Sequence, residues 1–216
     1  MQKIIKPTLD FIDRVLNVPE SKATYLTKIT LIDKAIDKLV LWAIPHSVKP
    51  NHITKFRLVS IPIIAGLLIY GHGPIFAAGF VLFVISAVSD AIDGALARTR
   101  DQITNWGTLY DPIADKLLIG TVSAIVVSKA LDPFLALAIV FIELCLVGSA
   151  YFRYKGAVVP AKTMGKTKMV LQCFGVAFLL LSIVLGGVPV LTTMALYTLY
   201  LAVVFALLSL FIFRSI

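Results

Sequence analysis

The segment IFAAGFVLFVISAVSDAIDGALA (residues 75–97) combines a long apolar run with two aspartates near its end, Asp90 and Asp93. A helix needs roughly 20 apolar residues to cross a lipid bilayer, so this segment is long enough to span one. A carboxylate close to hydrocarbon is costly, and such residues usually face a cavity and mark function. The segment therefore predicts a transmembrane helix with a polar site at one end.

Three more carboxylates, Asp111, Asp115 and Glu143, also lie in apolar surroundings. Asp90 and Asp93 are three residues apart, and Asp111 and Asp115 are four apart, so each pair shares one face of a helix. The connection between the two pairs is short, and we expect their helices to be antiparallel neighbours. Four aspartates without a cation would repel one another. Oxygen ligands suit Mg²⁺ or Mn²⁺. Two such ions could stabilise both the attacking and the leaving oxygen of a displacement at phosphorus.

The whole chain has the composition of a membrane protein. It has 216 residues, of which 59% are hydrophobic, and its mean hydropathy is +0.93. We predict an all-α integral membrane protein with six transmembrane helices, over residues 54–70, 75–97, 108–128, 133–154, 167–185 and 189–213. No internal repeat is visible, which disfavours an inverted-repeat transporter.

Residues 1–50 differ from the membrane domain that we assign to residues 51–216. Apolar residues recur at helical spacing from Ile29 to Val40, opposite charged residues, and Trp42 follows. This pattern predicts an N-terminal amphipathic helix that lies in the membrane interface.

The formal charge of +8 is distributed beside the apolar spans. This placement favours anionic lipid headgroups and phosphorylated substrates over nucleic acid. Nearly all Lys and Arg residues fall in the N-terminal segment, the second and fourth connections and the C-terminus, while the opposite loops hold only Lys129. Both termini and the aspartates are therefore predicted on the cytoplasmic side of the cytoplasmic membrane.

Small residues and one arginine accompany the aspartates. Gly94, Ala97 and Gly107 leave room for a ligand near the backbone, and Arg98 can neutralise phosphate charge. Each has a structural alternative, since small residues also pack helices and arginine also reaches towards headgroups.

Together these residues resemble the signature D-x2-D-G-x2-A-R-x8-G-x3-D-x3-D of the CDP-alcohol phosphotransferases. The matching positions are Asp90, Asp93, Gly94, Ala97, Arg98, Gly107, Asp111 and Asp115. The resemblance implies an enzyme, commonly a homodimer, that passes the phosphoalcohol unit of a CDP-linked lipid or alcohol to a hydroxyl and releases CMP.

The same resemblance implies roles for these positions. Asp90, Asp93 and Asp111 would be metal ligands. Asp115 would be the base that takes the acceptor's proton, with a share in metal binding. Gly94, Ala97 and Gly107 would line the cytidine site and Arg98 would meet phosphate.

Two further stretches resemble the branch that uses CDP-diacylglycerol with glycerol-type acceptors, which includes phosphatidylglycerophosphate and cardiolipin synthases. The first is Asp111-Pro-Ile-Ala-Asp-Lys116 with the earlier Pro50-Asn-His-Ile-Thr54, whose Asn51 and Thr54 would reach the nucleotide or cap a helix. The second is Gly165-Lys-Thr-Lys168. In that position Lys166 and Lys168, with Arg153, would bind the acceptor's phosphate, although a basic cytoplasmic loop is also expected from topology alone.

The sequence does not decide which alcohol is the acceptor. Phosphatidylglycerophosphate synthases usually carry an Arg-Glu pair in the fourth helix, where this chain has Ile142-Glu143, and a threonine where it has Met169. Glu143 either pairs with a basic residue or is a packed, satisfied group. Among the candidate acceptors, glycerol 3-phosphate is favoured first, phosphatidylglycerol second, and inositol phosphate or serine after them. The alternatives from other classes are a cation transporter and a non-catalytic membrane scaffold.

Overall fold

Helices make up nearly all of the part of the chain that the computed structural model describes, which is residues 50–99, 105–154 and 163–211. These residues form six helices: α1 Pro50–Tyr70, α2 Pro74–Thr99, α3 Asn105–Ala130, α4 Pro133–Tyr154, α5 Thr163–Val184 and α6 Pro189–Phe211. All six predicted helices are confirmed, and α4 has the predicted bounds. The amphipathic helix predicted within residues 1–50 lies outside the described residues.

Four of these helices are long and apolar enough to cross a membrane. They contain the stretches Pro50–Tyr70, Pro74–Leu96, Thr167–Val184 and Pro189–Leu210, and α4 contributes the shorter apolar stretch Pro133–Gly148. Large apolar side chains such as Tyr70, Phe134 and Tyr197 are exposed on the protein surface, where a lipid environment suits them. An integral membrane protein is confirmed, while the count of six spans stays a prediction.

Proline and glycine lie at the helix ends. Pro133 is the first residue of α4, where its missing N–H costs nothing. The Asp132 carboxylate accepts hydrogen bonds from the backbone N–H groups of Phe134 and Leu135, at 3.1 and 3.3 Å. At the end of α5, Gly186 and Gly187 have φ values of +83° and +88°, which only glycine adopts readily.

The chain forms two compact units, and the smaller one contains all four aspartates. Its described residues are 50–58, 86–99 and 105–115, which are the start of α1, the end of α2 and the start of α3. Ala95 and Leu96 are fully buried there, with Ile53 and Ile92 packed against them. This apolar cluster fixes the beginning of α1 against the end of α2.

The larger unit contains residues 59–85 and, from Lys116 onwards, the rest of the described chain. A Cβ atom added at Gly175 of α5 would lie 2.8 Å from both Leu199 Cγ and Thr198 Oγ1 of α6, so these two helices pack closely. The Lys129 ammonium donates hydrogen bonds to the Leu68 and Ile69 carbonyls, at 3.0 and 2.6 Å. It thereby satisfies carbonyl groups at the end of α1 that lack a partner within the helix.

Candidate active site

The four aspartates occupy the faces that their spacing predicts. Asp90 and Asp93 lie near the end of α2, and Asp111 and Asp115 lie in the first half of α3. Asp93 is almost completely buried, at 3% exposure, whereas the side chain of Asp90 is 43% exposed. The cluster is therefore buried at Asp93 and exposed to solvent at Asp90, where a ligand can enter.

Arg57 of α1 lies at the centre of this cluster. Its guanidinium is fully buried, and Nη1 donates to Asp90 Oδ1 at 2.9 Å while Nη2 donates to Asp93 Oδ2 at 2.5 Å. Nη1 also donates to Asp115 Oδ1. One side chain thus joins three carboxylates from two helices, and such charge-assisted bonds are stronger than neutral ones.

Thr54 engages the fourth aspartate. Its hydroxyl is buried and donates a hydrogen bond to Asp111 Oδ1 at 2.7 Å. Thr54 and Arg57 are three residues apart, so they lie on one face of α1. That single face contacts all four aspartates and holds the faces of α2 and α3 in register.

Arg57 is not among the predicted site residues, although the sequence carries a signal for it. The predicted first span began at Thr54 and therefore already included this arginine. A charged residue within a membrane span is expensive and should prompt a search for its partners. The aspartates are those partners.

The donors present suit a divalent metal ion. Four carboxylates and a threonine hydroxyl give an all-oxygen set, which is what Mg²⁺ and Mn²⁺ prefer. One guanidinium cannot neutralise four ionised carboxylates, so the cluster can accept more positive charge. Within the described residues, however, no three His, Cys, Asp or Glu side chains are already arranged to hold a metal ion. Mg²⁺ is usually held by one or two protein carboxylates, so substrate phosphate oxygens and water would complete its ligand set.

The structure places the predicted nucleotide residues on helices of the same unit. Gly94 follows Asp93 and is partly buried, and Ala97 and Arg98 lie in the last turn of α2. Gly107 lies in the first turn of α3. Asn51 and Thr54 lie within α1, which begins earlier than predicted, at Pro50, so neither caps this helix.

The predicted acceptor residues belong to the larger unit. Arg153 is in the last turn of α4, and Lys166 and Lys168 are in the first turns of α5. Lys168 is buried and forms an ion pair with Glu143 of α4, which decides in favour of the paired alternative for Glu143. Gln172, one turn further along α5, donates to Ser123 Oγ at 3.0 Å.

These polar residues open onto a groove that is otherwise apolar. Glu143, Lys168 and Gln172 line it together with apolar residues of α4 and α6: Ile139, Ile142, Leu199, Ala202, Val203 and Ala206. Ile142 and Glu143 both line this groove, and Glu143 takes its positive partner from α5.

Comparison with known proteins agrees with this geometry. Residues 47–210 match the CDP-alcohol phosphatidyltransferase family, a range that includes every residue of the aspartate cluster. The chain belongs to this family. It is therefore a phosphatidyltransferase of phospholipid biosynthesis, and the family's use of divalent metal ions agrees with the oxygen donors found here. A cation transporter and a non-catalytic scaffold are the alternatives that this membership displaces.

Individual members of the family are similar to this chain over most of their own length. A CDP-diacylglycerol–glycerol-3-phosphate 3-phosphatidyltransferase of Rickettsia bellii (strain RML369-C) is 37% identical over 135 residues, which cover 61% of this chain and 74% of the relative. The protein of the same name from Bacillus subtilis (strain 168) is 35% identical over 146 residues, covering 61% and 76%. A probable phosphatidylglycerophosphate synthase of Mycobacterium tuberculosis (strain CDC 1551 / Oshkosh) is 34% identical over 137 residues, covering 61% and 65%.

Proposed function

We propose that this enzyme transfers the phosphatidyl group of CDP-diacylglycerol to glycerol 3-phosphate and releases CMP. The observation that carries the proposal is the convergence of all four motif aspartates in one compact unit, three on Arg57 and the fourth on Thr54. The names of the relatives support glycerol 3-phosphate as the acceptor.

The chemistry needs a base and a way to stabilise charge at phosphorus. Asp115 is the base: it takes the proton of the acceptor hydroxyl as that oxygen bonds to the phosphorus of the phosphatidyl group. The bond from this phosphorus to the bridging oxygen of the pyrophosphate breaks, and CMP leaves. Mg²⁺ or Mn²⁺, with two ions as the expected number, would be held by Asp90, Asp93 and Asp111 with a share from Asp115, and would supply Lewis-acid stabilisation of the phosphoryl oxygens.

The nucleotide would bind beside the aspartates. Gly94, Ala97 and Gly107 would let the cytidine approach the backbone, and Arg98 would bind phosphate. Asn51 and Thr54 would complete this site from α1. Thr54 also acts as a positioning residue, because its hydroxyl orients the carboxylate of Asp111.

The acceptor's phosphate would be bound by Arg153, Lys166 and Lys168. Lys116 adds positive charge near Lys168, since it interacts electrostatically with both Glu143 and Lys168. Two lysines around one glutamate leave an excess of positive charge, which favours an anion as the third partner. Phosphate is such an anion, and this supports a phosphorylated acceptor over serine or free glycerol.

The proposal also includes the setting of the enzyme. Its six helices would all cross the cytoplasmic membrane, with both termini and the active site on the cytoplasmic side, where Lys and Arg are concentrated. The enzyme would act as a homodimer, as the family resemblance implies.

A panel of acceptors tests the proposal. Purified enzyme in detergent micelles is given CDP-diacylglycerol and Mg²⁺ with glycerol 3-phosphate, phosphatidylglycerol, inositol phosphate or serine, and CMP release is measured while the lipid product is identified by mass spectrometry. We expect CMP and phosphatidylglycerophosphate with glycerol 3-phosphate, and no CMP after EDTA. Cardiolipin from phosphatidylglycerol as the main product would overturn the acceptor assignment, and undiminished turnover in EDTA would overturn the metal requirement.

A further inference from the structure

Arg57 fills the place at which the carboxylates of the aspartate cluster point. Three carboxylate oxygens, from Asp90, Asp93 and Asp115, converge on the two terminal nitrogens of its guanidinium. A bound Mg²⁺ needs its oxygen ligands about 2.1 Å away in near-octahedral geometry. The three carboxylate oxygens here point instead at the guanidinium, a larger and planar cation.

Two cations at the same carboxylates also oppose each other electrostatically. The guanidinium is fully buried, where the repulsion between it and a neighbouring divalent ion is weakly screened. Asp93 is equally enclosed, so solvent cannot take over the screening on that side. Asp90 is the exposed partner and is therefore the carboxylate that can release the guanidinium most easily.

We propose that Arg57 is the counter-ion that holds the aspartate cluster together before metal binds, and that a divalent ion displaces its guanidinium from at least one of Asp90, Asp93 and Asp115. Arg57 is then a positioning residue in competition with the metal. It keeps the carboxylates of Asp90, Asp93 and Asp115 together when their mutual repulsion is greatest. It also weakens metal binding by the free energy of the ion pairs that must break. This inference rests on the metal dependence in the proposed function.

Metal binding and stability, rather than turnover, separate this role from a purely structural one. Wild type, Arg57→Gln and Arg57→Lys are purified in EDTA and exchanged into metal-free buffer. Mn²⁺ is then added alone, and free Mn²⁺ is counted by electron paramagnetic resonance while the Tm is followed by circular dichroism. Glutamine removes the charge. Lysine keeps the charge, but its ammonium cannot join three carboxylates as the planar guanidinium does.

We expect Arg57→Gln to lower the Tm in EDTA and to bind Mn²⁺ with a Kd lower than that of wild type by roughly fivefold or more, the low end of ordinary coupling between two ligands. Saturating Mn²⁺ should raise the Tm of this variant more than that of wild type. The Tm and the Kd for Mn²⁺ of Arg57→Lys should lie between those of wild type and Arg57→Gln. This variant is measured instead if the glutamine variant does not fold. The control is Lys129→Gln, which removes the α3 ammonium that binds carbonyls at the end of α1 and should leave the Kd for Mn²⁺ unchanged.

The outcomes distinguish this inference from the proposed function. A Kd that is unchanged or higher in both Arg57 variants, with wild type binding Mn²⁺ normally, would overturn the competition and leave the metal-dependent reaction standing. Wild type that binds no Mn²⁺ would overturn both.

Discussion

Lys168 of α5 donates a hydrogen bond to Glu143 of α4, and both side chains are largely buried, at 5% and 16% exposure. The pair joins the helix that carries the predicted acceptor lysines to the helix that carries the unusual Ile142-Glu143 sequence. A buried carboxylate left without its cation is strongly destabilising, whereas the complete pair is close to neutral compared with apolar residues. The pair therefore fixes where these helices meet, whatever its part in binding the acceptor.

The first prediction concerns the stability that this ion pair provides. Glu143→Gln and Lys168→Met should each destabilise the protein by about 3–5 kcal/mol, because each leaves one charge buried and unpaired. The double variant should lose less than the sum of the two. Thermal unfolding in detergent checks this, with Ser123→Ala as the control, since that change removes one neutral buried hydrogen bond worth about 1 kcal/mol. Strictly additive losses would show that the two side chains do not interact.

The second prediction concerns the acceptor's phosphate. Lys166→Ala should raise the KM for glycerol 3-phosphate roughly 10- to 100-fold, which corresponds to the loss of one charge-assisted hydrogen bond. The KM for CDP-diacylglycerol should change little in the same preparation. Lys162→Ala, which removes a lysine from the same basic stretch of sequence, is the matched control. Equal effects of the two variants on both substrates would mean that only the overall charge of the stretch matters.

The third prediction concerns the close packing of α5 on α6. Gly175→Ala should lower the stability by about 1–3 kcal/mol, because the new methyl group would lie 2.8 Å from Leu199 and Thr198. Gly120→Ala is the control: it is also a glycine within a helix, but a Cβ there meets no atom within 4 Å. The measurement is the Tm of each variant in detergent. A Gly175→Ala protein as stable as the control would contradict the observed packing.

Much of the fold could be predicted because apolar length and turn residues are local signals. The apolar runs predicted the six helices, and Pro and Gly residues lie in the turns between them, as at Asp132-Pro133 and Gly186-Gly187. The start of α1 was placed too late because Asn51 and Thr54 resemble helix caps. In the structure α1 already includes Pro50, ahead of both residues.

The site was predicted only in part because its contacts join distant segments. The spacing of the four aspartates predicted that each pair shares one face of a helix and that the two faces meet. Their connection through Arg57 spans 33 to 58 residues along the chain, and no local pattern encodes it. Pairing of Glu143 with a basic residue was one of two predicted alternatives, because the sequence shows a carboxylate and a basic stretch but not which lysine is the partner.

The fourth prediction concerns Thr54 as a positioning residue. Thr54→Val keeps the shape of the side chain but removes the hydroxyl that donates to Asp111. We expect kcat to fall and the Kd for Mn²⁺ to rise, each by roughly tenfold or more, because a hydrogen bond to a charged group contributes about 1.5–3 kcal/mol. Thr54→Ser retains the donor and should stay close to wild type. If the valine and serine variants bind Mn²⁺ equally well, the hydroxyl does not orient Asp111 for the metal.

The fifth prediction concerns the base. Asp115→Asn cannot accept the proton of the acceptor hydroxyl, so kcat should fall by roughly 10²–10⁴, the range typical of a lost general base. Arg57 still contacts Asp90 and Asp93, so the variant should fold and bind CDP-diacylglycerol. Single-turnover CMP release measures the chemical step, and lipid binding is measured separately. Asp132→Asn, at the cap of α4, is the control and should retain full turnover. An Asp115→Asn enzyme with near-normal kcat would show that another group takes the proton, because asparagine has no carboxylate with which to do so.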